Sequence, residues 1–361
     1  MGAAGLRLGA WEIARQINGE GPMGRKLTFG MQFDFRNPPQ WHRPWQDLYA
    51  ETLEFIQWIE KLGFDYASMS EHHFAVDGYL PSPLVAGAAV AAKTSRIRIT
   101  TAIALAPFYH PVRLAEDAAV LDIISNGRME LGLGLGYKPD EFTGYDVSPK
   151  ERGARLSEML QIIRRLWDGE TLNFKGRHYT VENAKLMPRP VQAHPTLWVG
   201  GANPAALKRA ALYGDGIYGG GDMALRYPEY VKELAAAGKP ASAARMIQGN
   251  VSWILVSNDP EKTAREVAPH VTHSVNTYSQ WNSSTQHPLY GGGKQVTPEE
   301  MIRNGPLKVY TPEQCIAMLE KISTAAPIEG VYGFIPPAGF PLKKLAEHVE
   351  LFATKVMPHF R

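Results

Sequence analysis

From Lys26 onward the chain keeps returning to one unit: a short apolar run, a turn signal, then a stretch of helical period. That alternation restricts the fold more than any other feature. The apolar runs are Leu27–Phe33, the segment after Gly63 that leads into Glu71-His72-His73, Ile97–Ala104, Met129–Gly136, Thr196–Gly201, Gly216–Gly219, Val251–Val256 and Gly330–Ile335. Helix-period stretches separate them: Pro44–Leu62, Pro81–Lys93, Pro111 to the Asn126-Gly127 cap, Pro149–Trp167, Asn203–Tyr213, Tyr227–Ala237, one from about Pro260, one carrying Cys315, and Leu342–Val356. Eight strands alternating with helices, all read as parallel, predict an α/β fold of the (β/α)8 TIM-barrel type with insertion loops at its C-terminal face. Residues 26–361 form one domain in this reading. Residues 1–25 are read as an N-terminal extension without the apolar stretch of a secretory signal. Residues 170–194 read as a loop or hairpin excursion, and residues 271–306, which lack periodicity, as a loop serving as a lid or substrate-binding segment.

The composition narrows the function. Of 361 residues, 44% are hydrophobic and 20% charged, enough for a sizeable core, and the formal net charge of +2 with no basic block argues against a nucleic-acid partner. No apolar run approaches the ~20 residues that would cross a bilayer. The single cysteine, Cys315, excludes an internal disulfide framework and sits in a helical pattern that suits a buried thiol, so the cytoplasm is the expected compartment. A small molecule is the expected partner.

Several short segments carry chemistry. His72 and His73 fall at the C-terminal end of the second strand, where parallel α/β folds place their active groups. Adjacent residues on an extended segment point to opposite faces, so one histidine looks into a cavity and the other packs. No third ligand stands at a metal spacing nearby, and none is expected. Leu131-Gly132-Leu133-Gly134-Leu135-Gly136 is a poor dinucleotide fingerprint; its glycines are better explained by close approach of a neighbouring backbone or of a flat ring. Gly200-Gly201-Ala202-Asn203-Pro204 lies between a buried strand and a helix start, where free backbone N–H groups and the helix dipole favour an anion such as phosphate, although an ordinary turn capped by Asn203 would look the same. His110-Pro111-Val112-Arg113 is either a plain helix start, with Arg113 paired to Glu116 or Asp117, or part of the site.

Taken in order, Glu71-His72-His73-Phe74, Pro107 with His110-Pro111-Val112-Arg113-Leu114-Ala115-Glu116-Asp117, Asn126-Gly127-Arg128, Glu151-Arg152-Gly153, Trp198-Val199-Gly200-Gly201 and Gly214-Asp215-Gly216 resemble the bacterial luciferase-like superfamily of flavin-dependent monooxygenases, over nearly the whole span from Lys26 to Phe360. The resemblance implies that His72 is the active-site histidine, acting in proton transfer and in stabilising the peroxyflavin. It implies that Ala102-Ile103 is a non-prolyl cis peptide under the flavin ring, and that the phosphate rests on Gly200, Gly201, Ala202 and Asn203 with Arg152 nearby. Gly134 on the glycine strand would lie against the planar cofactor. One position departs from the pattern: Leu135 stands where the luciferase has an arginine. The implied activity is oxidation of a small apolar substrate by O2 and reduced FMN, the latter supplied by a separate flavin reductase. Tyr79, Phe108, Tyr109, Tyr137 and Trp281 are the aromatics expected to line the substrate pocket. A deazaflavin coenzyme used for hydride transfer is the alternative within the superfamily, a non-catalytic flavin-binding protein a further one, and homo-oligomerisation is expected by analogy.

Overall fold

A computed structural model of the chain describes residues 26–249, 253–282 and 292–361. In chain order its elements are β1 (Thr28–Phe33), α1 (Trp45–Lys61), β2 (Tyr66–Met69), α2 (Pro83–Lys93), β3 (Arg98–Thr101), β4 (Ala104–Leu105), α3 (Pro111–Ser125), β5 (Met129–Gly134), α4 (Pro139–Gly144) and α5 (Arg152–Trp167). The antiparallel hairpin β6 (Thr171–Lys175) and β7 (Thr180–Lys185) follows. The second half comprises β8 (Thr196–Gly200), α6 (Pro204–Tyr213), β9 (Gly216–Gly219), α7 (Tyr227–Ala236), β10 (Met246–Gly249), β11 (Trp253–Val256), α8 (Pro260–Trp281), α9 (Pro298–Asn304), β12 (Leu307–Tyr310), α10 (Pro312–Ala325), β13 (Ile328–Phe334) and α11 (Leu342–Lys355).

Parallel pairing runs β1-β2-β3-β5-β8-β9-β10-β13 and back to β1, a closed eight-stranded (β/α)8 barrel. The period of two along β1 shows how it is filled. Phe29, Met31 and Phe33 face the helices, where Phe29 meets Phe352 of α11 edge-on at 5.2 Å. Gly30 faces inward, where any β-carbon would stand 2.8 Å from the Tyr332 ring, so the strand leaves room for an interior cluster of Tyr66, Trp198, Tyr218 and Tyr332. Glu130 ties that cluster together, accepting from the Trp198 indole at 2.6 Å, the Tyr66 hydroxyl at 3.2 Å and Arg98 Nε at 2.7 Å.

Two expectations fail. The seventh barrel strand is Met246–Gly249, not Val251–Val256: β10 pairs with β9 and β13, whereas Trp253–Val256 pairs with Leu307–Tyr310 in a separate two-stranded sheet. The stronger apolar run packs beneath α11, while the barrel strand turns Ile247 into the interior cluster and the polar Gln248 to the opposite, outer face, where it accepts from the Met223 N–H. Residues 271–306 are also not one loop. Helix α8 continues through Pro269 to Trp281, and α9 lies within the segment as well. A proline inside a helix usually ends it. Here the half beyond Pro269 is clamped from outside, by a His270 ring stacked 3.9 Å from Trp41 and a His273 Nε2 to Asp77 bond of 2.9 Å. Residues 1–25 and 283–291 lie outside the described residues, as do Val251 and Ser252.

Candidate active site

The C-terminal ends of the barrel strands open into a cavity of about 640 Å³, within the roughly 300–1,000 Å³ usual for small-molecule sites. Gly200, Gly201, Asn203, Ala206 and Arg152 line one end. His72 with Tyr79, Tyr137 and Tyr278 around its ring, and Asn282 bonded to Tyr278, line the other, and Ala102, Ile103, Leu135, Tyr218 and Trp253 lie on its wall as well.

Strand β2 ends at Met69, so both histidines lie in the loop that follows it, and there they part. His72 lines the cavity; its Nδ1 lies 2.9 Å from Glu141 Oε1 and its Nε2 3.1 Å from the Tyr137 hydroxyl. His73 turns behind the wall, bonded to Glu71 Oε1 at 2.8 Å and to the Tyr145 hydroxyl at 3.0 Å. Glu71 is also occupied by the Leu105 N–H and the Tyr109 hydroxyl. That places Tyr109 behind the wall rather than on it, and burial together with the Glu71 charge pushes its phenol pKa up. Phe108 is likewise off the cavity, stacked 4.8 Å from Tyr145 and packed on Phe142. Trp281 contacts the His72 imidazole, ring centres 4.8 Å apart, while facing a neighbouring open groove. Tyr79 and Tyr137 line the cavity.

At the opposite end the backbone sets the geometry. Gly201 has a φ of 130° and donates its N–H to Tyr218 at 2.9 Å, a conformation that suits glycine. Asn203 then caps α6, its side chain accepting from the Ala206 N–H at 2.9 Å with Pro204 in the first turn, so the positive end of the helix adjoins the cavity. Arg152 opens α5 over the Phe142 ring, 5.8 Å away. Ala202 packs toward the core and is absent from the lining. The Ala102–Ile103 peptide bond is cis. Gly134 is off the cavity: it and Gly200 flank the Ile103 side chain, whose Cδ1 lies 2.4 and 1.9 Å from where their β-carbons would be. The glycine strand thus admits a neighbouring side chain.

The model of the luciferase-like monooxygenase family matches residues 27–327. The chain belongs to that family. Among curated relatives, the oxygenase component of flavin-dependent trigonelline monooxygenase from Acinetobacter baylyi is 34% identical over 164 residues, 44% of this chain and 45% of that protein. An F420-dependent glucose-6-phosphate dehydrogenase from Amycolatopsis mediterranei is 34% identical over 173 residues, 46% of this chain and 52% of that one, so the chain spans about half the length of each. The solved structure of the monooxygenase RslO1 from Streptomyces bottropensis superposes with a TM-score of 0.74 at 25% identity, covering 93% of this chain and 100% of that one.

Within this luciferase-like barrel the residues that sequence reasoning missed are those reaching the cavity from distant segments. Glu141 sits on the unforeseen α4, and Tyr278 and Asn282 come from the end of α8. The only signal for α4 was Pro139-Asp140-Glu141, a proline and two acids of the kind that open helices. Helix α8 is held by a buried ion network: Arg36 Nε bonds Asp77 Oδ2 at 2.6 Å, and the guanidinium stands 5.4, 5.5 and 5.8 Å from the centres of the Tyr79, Tyr278 and Trp281 rings. Burial acts to raise the Asp77 carboxyl pKa, but the His273 hydrogen bond and the Arg36 charge outweigh it and bring it down to about 2. Asp34, where burial dominates, is pushed up to about 6. Burial also lifts the Tyr278 hydroxyl to about 12 and Tyr79 further, so both remain protonated, 3.0 Å apart. The described residues hold no cluster of metal-ligating side chains, and no helix among them is long and apolar enough to cross a membrane. Arg113 pairs with Asp117 at 2.8 Å on the exposed face of α3, away from the cavity.

Proposed function

We propose that this protein is the oxygenase component of a two-component monooxygenase, which receives reduced FMN from a separate reductase and uses O2 to oxidise a small apolar substrate. The observation that carries this reading is the polarity of one cavity: a helix N-terminus and Arg152 at one end, and at the other a buried imidazole held between a carboxylate and a phenol. That donor set fits a flat ring with a phosphate tail. Gly200, Gly201 and Asn203 would shape the cradle that brings the α6 dipole to the phosphate, the Gly201 N–H itself being donated to the Tyr218 carbonyl, with Arg152 adding charge. Gln32, on the same wall, has a buried side-chain oxygen without a hydrogen-bond partner among the described residues and is available to a polar ring edge. When bound, the reduced flavin supplies the electrons that activate O2. His72 holds or releases a proton at the reacting end; an imidazole suits this because its ordinary pKa lies near neutrality. Tyr79, Tyr278 and the end of α8 keep water from that end.

Oxygen uptake on mixing with reduced FMN tests the proposal, and its absence with every reduced flavin would reject it. Replacing His72 by Ala is expected to lower kcat by ~10²–10⁴-fold while leaving FMN binding intact. The second reading, hydride transfer with a deazaflavin coenzyme, is supported by the F420-dependent relative and by Leu135, which leaves the phosphate with fewer cationic partners than the luciferase pattern. The absorption spectrum of the copurified cofactor separates the two. Pairing of two copies through α2 and α3 belongs to the proposal, supported by exposed Val85, Val120 and Ile124 on those helices and tested by light scattering. So does a cytoplasmic location.

A further inference from the structure

Behind His72 the structure holds a group that the proposed chemistry does not yet use. Glu141 is fully buried on α4; its Oε1 meets both His72 Nδ1 at 2.9 Å and the His73 backbone N–H at 2.8 Å. Its Oε2 is buried with no hydrogen-bond partner among the described residues. An ionised carboxylate only accepts, so this contact places the imidazole proton on Nδ1 and leaves Nε2 as an acceptor. The group facing Nε2 is the Tyr137 hydroxyl at 3.1 Å, on the cavity wall. Tyr137, in the turn after β5, and Glu141, on the α4 that follows it, meet the two ring nitrogens of the imidazole.

We infer that Glu141, His72 and Tyr137 form a relay in which Tyr137 is the catalytic group that exchanges the proton with the reacting molecules, His72 takes that proton at Nε2, and Glu141 is a positioning residue that fixes the ring's tautomer. This rests on the oxygenase reading for its chemistry, but not for its geometry. When a proton leaves the substrate for the Tyr137 oxygen, the phenolic O–H bond breaks, the proton moves to His72 Nε2, and the resulting imidazolium is opposed by the buried Glu141 carboxylate. In reverse, Nε2–H returns its proton to the phenolate oxygen as Tyr137 donates to an acceptor in the cavity. A buried carboxylate on the far nitrogen of a catalytic histidine serves two ends: it selects the tautomer and stabilises the charged ring.

The decisive measurement is the ¹⁵N spectrum of the histidine rings in the whole protein, with His72 assigned by its loss in a His72→Gln variant. The expected result is His72 protonated at Nδ1 in the wild type, with that preference lost in Glu141→Gln. Steady-state kinetics of Glu141→Gln and Tyr137→Phe should show kcat reduced by ~10²-fold or more with KM within a few-fold, flavin affinity kept, and partial recovery in Glu141→Asp. Tyr137→Phe keeps the ring and its packing, so it answers the question even if Glu141→Gln fails to fold. Wild-type turnover in Tyr137→Phe, or a His72 ring protonated at Nε2 alone, would overturn the relay while leaving the oxygenase reading intact. No oxygen uptake by the wild type, with the Nδ1 tautomer still lost in Glu141→Gln, would reject that reading and support the positioning role alone.

Discussion

Replacing Gly200 by Ala puts a methyl group where a β-carbon would stand 1.9 Å from Ile103 Cδ1 and 3.2 Å from the Leu133 carbonyl oxygen. Carbon atoms rest at about 3.5–4.0 Å, so the Ile103 side chain must move. Its retreat is blocked on another side, since a β-carbon on Gly134 would already be 2.4 Å from the same atom. The remaining direction is into the cavity, which Ile103 lines. An off-rotamer side chain costs about 0.5–1.5 kcal/mol, and forced overpacking of this kind about 1–3 kcal/mol in all. Ile103→Val removes the clashing Cδ1 and by itself costs about 0.5–1.5 kcal/mol. If the two sites were independent, the double variant would lose on the order of 2–4 kcal/mol. The geometry instead predicts that it loses little more than Ile103→Val alone, a favourable coupling of about 1–2 kcal/mol. Urea unfolding of the four proteins measures this, and an FMN titration should find binding weakened in Gly200→Ala and restored in the double variant. Additivity within about 0.5 kcal/mol would refute the claim that the glycines of β5 and β8 exist to admit Ile103.

Arg152→Ala should weaken FMN binding by ~10–100-fold, the loss expected for a charge-assisted hydrogen bond, while barely changing riboflavin binding. Equal losses for both ligands would remove Arg152 from the phosphate end. Asp34 has a folded-state pKa of about 6 against an ordinary 3.8, so the folded protein binds its proton more tightly. Its contribution is therefore full below pH ~4 and lost as pH rises through about 6, by up to roughly 3 kcal/mol. Asp34→Asn, which keeps an oxygen for the Arg36 N–H, should be more stable relative to wild type at pH 7.5 than at pH 4.5, and a pH-independent difference would contradict the burial argument. Cys315 is buried, with its thiol pushed up to about 12, so it should resist alkylation at pH 8 until the protein unfolds; rapid labelling of the native state would show otherwise.

The barrel was legible because parallel strands buried on both faces read as apolar runs, and their covering helices read with a different period. The same rule explains the errors. Trp253–Val256 is as apolar as a barrel strand because it too is buried, under α11, whereas Met246–Gly249, of the same length, carries a glutamine and ends in glycine. Periodicity reports burial and not which sheet a strand joins. Pro269 carries a local rule that tertiary contacts overrode, since Trp41 and Asp77 hold α8 in place beyond the point where the isolated sequence would stop.

The two ends of the cavity are written into the chain in different ways. The end proposed for phosphate is made from consecutive residues: a strand, two glycines, a capping asparagine and a proline, whose turn chemistry is local and so can be read in order. The end around His72 is assembled by side chains from the loop after β2, the turn after β5, α4 and the far end of α8, and the last of these is held by Trp41 on His270 and by Arg36, Asp77 and His273. No local rule predicts such convergence. Phe108 and Tyr109 show the converse: aromatics in a loop beside the site were expected in it, yet Phe108 packs on His73 and Tyr109 is turned to Glu71, and neither lines the cavity. What the sequence did carry there was the adjacent pair itself, of which His72 lines the cavity and His73 bonds Glu71. The carboxylate that gives His72 a defined tautomer could be found only once α4 was seen folded against it.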